Sequence, residues 1–165
     1  MTKIEELLKE SFIIESQANV RYLMFATRAE REGYTQVAKL FRATAESATI
    51  QARNYSVALG AIQRTEENLL KAIASETHEI EQTYPEMINA AKTEAHRSGE
   101  GISIYANEVK QSNIQLYQKM LDELSRTQEI FPYFVCPVCG YTSEKDPPLK
   151  CPVCGAKGEL FERIE

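Results

Sequence analysis

The chain has 165 residues, enough for one full core and a small module. Its 19 basic and 24 acidic side chains leave a net charge of −5, which argues against a general nucleic-acid binder and against a polybasic membrane anchor. No apolar run approaches the length that spans a bilayer, and the charged opening Met1-Thr2-Lys3-Ile4-Glu5-Glu6 has no apolar signal-peptide core, so the expected compartment is the cytoplasm.

Residues 1 to about 130 read as long amphipathic helices, dominated by Ala, Leu, Glu, Lys, Gln and Arg and almost free of proline. The first is expected from Thr2 to Arg31. Its apolar stripe is Ile4, Leu8, Phe12, Ala18, Tyr22, Ala26 and Ala29, and Gly33 stops it. The second runs from about Thr35 to Leu59 on Val37, Phe41, Ala45, Ala48, Ala52 and Tyr55, and Gly60 ends it. Thr65 with Glu66 and Glu67 marks the start of the third, which reaches about His96 and is kinked or broken at Pro85. Ser98-Gly99-Glu100-Gly101 reads as the next break. A fourth helix then runs to about Gln128 on Ile102, Ala106, Val109, Leu116, Met120 and Leu124. The period is mixed rather than strictly heptad, which favours a globular four-helix bundle over a long coiled coil.

Pro132 closes the helical part, and a second domain is expected from residue 131 to 165. Its strands must be short: Tyr133–Cys136, Tyr141–Thr142 and Leu160–Ile164, with a turn at Lys145-Asp146-Pro147-Pro148. Here lie all four cysteines. Cys136-Pro137-Val138-Cys139-Gly140 and Cys151-Pro152-Val153-Cys154-Gly155 are two CPxCG knuckles, each with two thiols three residues apart on a turn that ends in glycine. Four soft ligands on two knuckles suit a tetrahedral metal. Two disulfides are the alternative, but a CxxC pair strains a structural disulfide and nothing marks the chain as secreted. The spacing leaves zinc and iron both open.

Polar residues interrupt the inward stripes of the helices. Glu15 lies between Phe12 and Ala18. Glu76 and Glu79, three apart and so on one helix face, are flanked by Ile73 and Ile80. Gln51 falls between Ala48 and Tyr55, and Lys110 and Asn113 fall in line with Ala106 and Tyr117. Unpaired buried charge costs several kcal/mol, so a polar layer inside a bundle calls for metal or mutual pairing.

Taken together, these features resemble the rubrerythrin family, a ferritin-like four-helix bundle joined to a C-terminal rubredoxin-like domain. The resemblance rests on Glu15-Ser16, Arg21-Tyr22-Leu23 and Ala38-Lys39-Leu40-Phe41-Arg42-Ala43. It continues through Thr65-Glu66-Glu67-Asn68-Leu69, Glu76-Thr77-His78-Glu79, Tyr84-Pro85 and both knuckles. It implies a diiron centre in the bundle, one iron on Cys136, Cys139, Cys151 and Cys154, a homodimer, and an NAD(P)H-linked peroxide-reducing oxidoreductase whose electrons enter through the rubredoxin-like iron. It moves the expected four-cysteine metal from zinc to iron.

The family's diiron ligands are only half present. Glu15, Glu76 and Glu79 match, and Tyr22 and Tyr84 match the tyrosines near the family's metals. The ExxH motif expected on the second helix reads Ala48-Thr49-Ile50-Gln51, and that on the fourth reads Lys110-Gln111-Ser112-Asn113. Glu46 and Glu108 are each two positions from a missing glutamate, about 200° around the helix, and His78 and His96 fall outside the ligand positions. The changes look coordinated: Ala48 deletes a carboxylate, Lys110 replaces another with a cation, and Gln51 and Asn113 keep hydrogen-bonding capacity. The expectation is that the Lys110 ammonium takes the space of a metal and pairs with some of Glu15, Glu76 and Glu79. The principal reading is then electron transfer or redox sensing through a single Fe(Cys)4, with an unnamed redox partner and no diiron centre. A peroxidase with an altered bundle metal, such as a hard cation on the three glutamates, is one alternative. A non-catalytic interaction protein with a structural zinc ribbon is the other.

Overall fold

A computed structural model of the chain describes residues 2–126 and 129–165. It is a mainly helical protein with a small C-terminal antiparallel ribbon, and it divides into two compact units, Met1–Gln63 and Arg64–Glu165.

The first unit is a pair of helices, α1 (Lys3–Arg31) and α2 (Thr35–Ala58). Thr2 caps α1 reciprocally: its hydroxyl accepts from the Glu5 amide, and the Glu5 carboxylate accepts from the Thr2 amide. Gly33 and Gly60 end the two helices at φ +84° and +59°, a conformation open to glycine at little cost. The seam is built from alanine. Ala26 is 1% exposed and Ala38 is fully buried, with Ala18, Ala29, Ala45, Ala48 and Ala52 also buried, so the two backbones can approach closely. Asn19 pins the crossing, donating to the Ala45 carbonyl at 2.9 Å and to the Thr49 hydroxyl at 2.7 Å. The larger stripe residues Ile4, Phe12 and Val37, expected inside, are exposed within the chain, because alanine rather than bulk closes this pair.

The second unit begins with one unbroken helix in three parts: α3 (Thr65–His78), a π turn (Glu79–Thr83) and α4 (Tyr84–Thr93). At its start the Glu67 carboxylate, not the Thr65 hydroxyl, satisfies an orphan amide, that of Arg64 at 3.0 Å. Pro85 does not break the helix. The wider π turn ahead of it, closed by the Tyr84 amide on the Glu79 carbonyl, makes room where an α-helical turn would meet the proline ring.

The next break lies earlier than the glycines suggested. Helix α5 (Arg97–Glu123) already contains Gly99 and Gly101, and the chain turns at Ala95, φ +55°. His96 caps α5, its Nδ1 accepting from the Gly99 amide at 3.0 Å. Ser103 rather than Ile102 faces inward: Ser103 is buried and Ile102 exposed. The C-terminal bound expected near Gln128 lies outside the described residues; α5 itself ends at Glu123. Among the described residues no helix is long and apolar enough to cross a membrane.

The ribbon has strands β1 (Tyr133–Val135), β2 (Thr142–Glu144) and β3 (Glu162–Ile164), ordered β2-β1-β3 and antiparallel throughout. Two strands sit later than expected. Tyr141 lies before β2 because its carbonyl accepts from the Cys136 amide, and a 3₁₀ turn over Gly158–Leu160 delays β3. Cys136, Cys151 and Phe161 form the ribbon's small core, with Phe134, Tyr141 and Val153 against it. Lys119 of α5 reaches Glu144 of β2 at 2.6 Å, and the ammonium groups of Lys119 and Lys145 stand 5.5 and 5.2 Å from the centre of the Phe131 ring.

Gly158 is buried, and its amide donates to the Leu149 carbonyl at 3.0 Å. A Cβ there would overlap the Pro148 carbonyl oxygen, a backbone atom that cannot swing aside. Gly158→Ala is therefore expected to cost about 3 kcal/mol or more through overpacking. The check is metal retention by the ribbon during a denaturant titration. Retention equal to that of the parent would show that the loop yields freely.

Candidate metal centre

Each knuckle folds the same way. The amides of Gly140 and Gly155 donate to the carbonyls of Cys136 and Cys151 at 2.9 Å, and both glycines have positive φ. These turns bring four sulfurs together from two separate stretches of chain, all within 4.8 Å of one another. Cys136 and Cys154 are 3.6 Å apart, and Cys139 and Cys151 are 3.5 Å apart. A disulfide needs about 2.05 Å. A tetrahedral metal with ligand bonds of about 2.3 Å sets its sulfurs about 3.8 Å apart. The spacing therefore suits a tetrahedral ion and excludes two disulfides in this arrangement.

Electrostatics agree with that assignment. Burial raises the Cys136 thiol, but amide N–H groups of Cys139 and Val138 and the thiol of Cys154 outweigh it and bring it to about 7. Burial and crowding push Cys139 and Cys154 upward, although amides of Tyr141 and Ala156 point the other way. Four thiolates do not coexist here without a compensating cation, so metal entry displaces protons.

A second cluster lies among the helices of the second unit. Glu76 of α3 is 7% exposed. Lys110 of α5 sends its ammonium to Glu76 Oε1 and to Glu79 Oε2, 3.2 Å from each. Asn113 Nδ2 donates to the same Glu76 oxygen at 3.4 Å. The Tyr84 hydroxyl donates to Glu79 Oε2 at 3.4 Å, and burial together with the Glu79 carboxylate holds its phenol above the ordinary value. Glu76 Oε2 is buried without a partner among the described residues. The cluster thus joins five of the positions singled out in the sequence: Glu76, Glu79, Tyr84, Lys110 and Asn113.

Glu15, Tyr22, Ala48 and Gln51 lie in the first unit. Glu15 and Tyr22 are half-buried on α1, and Tyr22 packs with Phe25 and Phe41, ring centres 6.3 Å from each. Ala48 is buried in the alanine seam. Gln51 is exposed and donates to the Ser47 hydroxyl at 3.3 Å. His78 and His96 are exposed. Sequence reasoning missed the Lys119–Glu144 pair that ties the ribbon to α5. No local pattern links residues 25 positions apart.

The sequence model of the family described as Rubrerythrin matches residues 6–102, and that of the rubrerythrin rubredoxin-like domain matches residues 134–162. The chain belongs to the rubrerythrin family. Rubrerythrin-2 of Clostridium acetobutylicum is 31% identical over 154 residues, covering 84% of this chain and 84% of its own. Rubrerythrin of Porphyromonas gingivalis is 32% identical, with 88% of this chain and 82% of its own covered. The solved structure of fully reduced, all-ferrous nigerythrin superposes with a TM-score of 0.58 over 99% of this chain and 88% of that one, at 22% identity, a likeness of fold. The rubrerythrin match ends at residue 102, before Lys110 and Asn113.

Proposed function

We propose that this rubrerythrin-family protein carries single electrons through one iron on Cys136, Cys139, Cys151 and Cys154, and that its bundle holds no diiron pair. The observation that carries this reading is the Lys110 ammonium, 3.2 Å from both Glu76 and Glu79. A fixed cation between those carboxylates already offsets one of their two charges, and it repels a second cation over the same few ångströms. An iron in the four-cysteine site supplies one-electron transfer when bound. The chain's own part is to hold it by sulfur, to direct amide dipoles at the sulfurs and to keep the site partly dry.

The protein acts on this reading as a cytoplasmic homodimer with a redox protein as partner, and with neither nucleic acid nor membrane. Exposed Ile13, Val20 and Met24 on α1 support a second copy, and the net charge of −5 supports the exclusions. The test is elemental analysis with absorption spectra of protein purified from its own source. A single iron per chain, red when oxidised and bleached by reductant, is expected. Two or three irons per chain would overturn the reading and restore a peroxidase. A colourless protein with zinc alone would replace it with a structural ribbon.

A further inference from the structure

The ribbon leaves one side of its four sulfurs open. Cys139 and Cys154 are half-buried whereas Cys136 and Cys151 are buried, so the centre meets solvent at the second cysteine of each knuckle. Residues 136–143 and 151–156 contain no charged side chain. Val138 is 62% exposed, and Pro137, Pro152 and Gly155 are exposed with it. Another surface can approach such a tip without stripping water from a charge.

Charge stands one rung below the second knuckle. The Cys151 amide donates to the Ala156 carbonyl at 2.7 Å, and the next rung is an antiparallel bridge that sets Lys150 directly opposite Lys157. Like charges at facing positions are unfavourable. The ribbon's other cations are paired, Lys145 with Glu129 at 2.6 Å and Arg163 with Glu165 at 3.2 Å. Lys157 reaches Glu159 at 3.3 Å, but their side chains are 74% and 71% exposed, and such pairs are weak. Lys150 has no salt-bridge partner among the described residues. In a chain of net charge −5 this is a local excess of positive charge that the ribbon's own acids do not cancel. Leu149, beside Lys150, is 96% exposed. With Pro147 and Pro148 it walls a shallow depression of about 420 Å³ that Lys157, Gly158 and Glu159 bound on the far side. Bare leucine next to uncancelled lysines suits a surface that an acidic partner covers.

We infer that the rim of the second knuckle docks an acidic one-electron carrier protein, whose carboxylates face Lys150 and Lys157 and whose apolar contact falls on Leu149 and the Val138 tip. This rests on the electron-transfer reading for what passes between the two proteins; the docking itself does not depend on which metal fills the site.

The probes are two carriers of opposite charge, an acidic plant-type ferredoxin and a basic cytochrome c. Each is titrated against the full chain loaded with zinc, where docking alone is read, and against the chain loaded with iron, where electron transfer is timed. The ferredoxin is expected to bind the zinc-loaded chain saturably, at least about tenfold more tightly than the cytochrome at low salt, and to lose affinity as salt rises. Lys150→Glu/Lys157→Glu should weaken binding about tenfold or more and slow association. Leu149→Ala should weaken it about threefold. Lys3→Glu/Lys9→Glu makes the same charge change at exposed positions of α1 and should alter binding less than about twofold. Equal affinity for the two carriers overturns the inference, as does an effect of the α1 variant equal to that of Lys150→Glu/Lys157→Glu. Loss of a dimer in Lys150→Glu/Lys157→Glu with ferredoxin binding unchanged also overturns it, and makes this face a contact between copies. Docking to the zinc-loaded chain without transfer to the iron-loaded one supports the docking and overturns the electron-transfer reading. Transfer that Lys150→Glu/Lys157→Glu leaves unslowed does the reverse.

Discussion

A Lys110→Met chain, studied in metal-free buffer, is expected to be about 2–3 kcal/mol less stable than the parent at pH 7. Removing one partner of a buried ion pair costs more than the pair itself contributes, because the other charge is left without compensation. Glu76 would keep only the Asn113 amide, and Glu79 only the hydroxyls of Tyr84 and Ser75 at 3.4 Å. The side chains of Lys110 and Glu79 are 26% and 30% exposed, so water screens part of the loss and the low end of the usual range applies. Adding Glu76→Gln to Lys110→Met should recover part of the deficit, since it removes the more deeply buried of the two stranded charges. Equal denaturation midpoints for parent and Lys110→Met would show that the ammonium contributes nothing to the fold.

The same pair sets a dependence on pH. Burial disfavours the Lys110 ammonium, but hydrogen bonds and charge from Glu76 and Glu79 outweigh it and raise its pKa above the ordinary 10.5. The folded chain therefore holds this proton more tightly than the unfolded chain. The resulting stabilisation is complete below pH 10.5 and is lost as pH climbs through the folded value. Parent and Lys110→Met should converge in stability above pH 10.5, with other alkaline titrations common to both.

Cys151→Ser/Cys154→Ser is expected to abolish metal binding and unfold the ribbon while the helices stay folded. The ribbon's buried core is Cys136, Cys151 and Phe161, and its strands are three residues each. A core that small does not offset the entropy of ordering the segment. Metal coordination, worth about 10–16 kcal/mol in comparable structural zinc sites, does. Far-ultraviolet circular dichroism should retain nearly all its helical signal, while limited proteolysis cuts after about residue 130. Chelation of the parent should reproduce that cleavage pattern. A ribbon resistant to protease without metal would show that Phe161 and the Lys119–Glu144 tie suffice.

Much of this architecture was legible because single residues dictate local geometry. Gly33 and Gly60 mark helix ends since each must take positive φ, and the paired CPxCG knuckles announce a four-sulfur site from spacing alone. Gly99 and Gly101 misled for the opposite reason. A glycine inside a helix costs only about 1 kcal/mol, and the actual boundary is set by His96, whose ring nitrogen does the work more often given to Ser or Asp. Periodicity placed Glu76, Glu79 and Lys110 on inward faces, but not the distances among them. It also overstated Ile4, Phe12 and Val37, because a stripe does not tell whether large or small residues will carry the contact. The π turn left one trace, Pro85, which states that a donor is missing without stating how the helix makes room.

That π turn acts as a phase shifter. A π turn holds one more residue than the α-helical turn it replaces. Everything from Tyr84 to Thr93 is therefore rotated by about 100° against α5 compared with an uninterrupted α-helix. In the shifted phase the Tyr84 hydroxyl meets the Glu79 carboxylate. The inserted residue thus couples two matters that otherwise look separate: which side of α4 meets α5, and whether a phenol joins the Lys110 cluster.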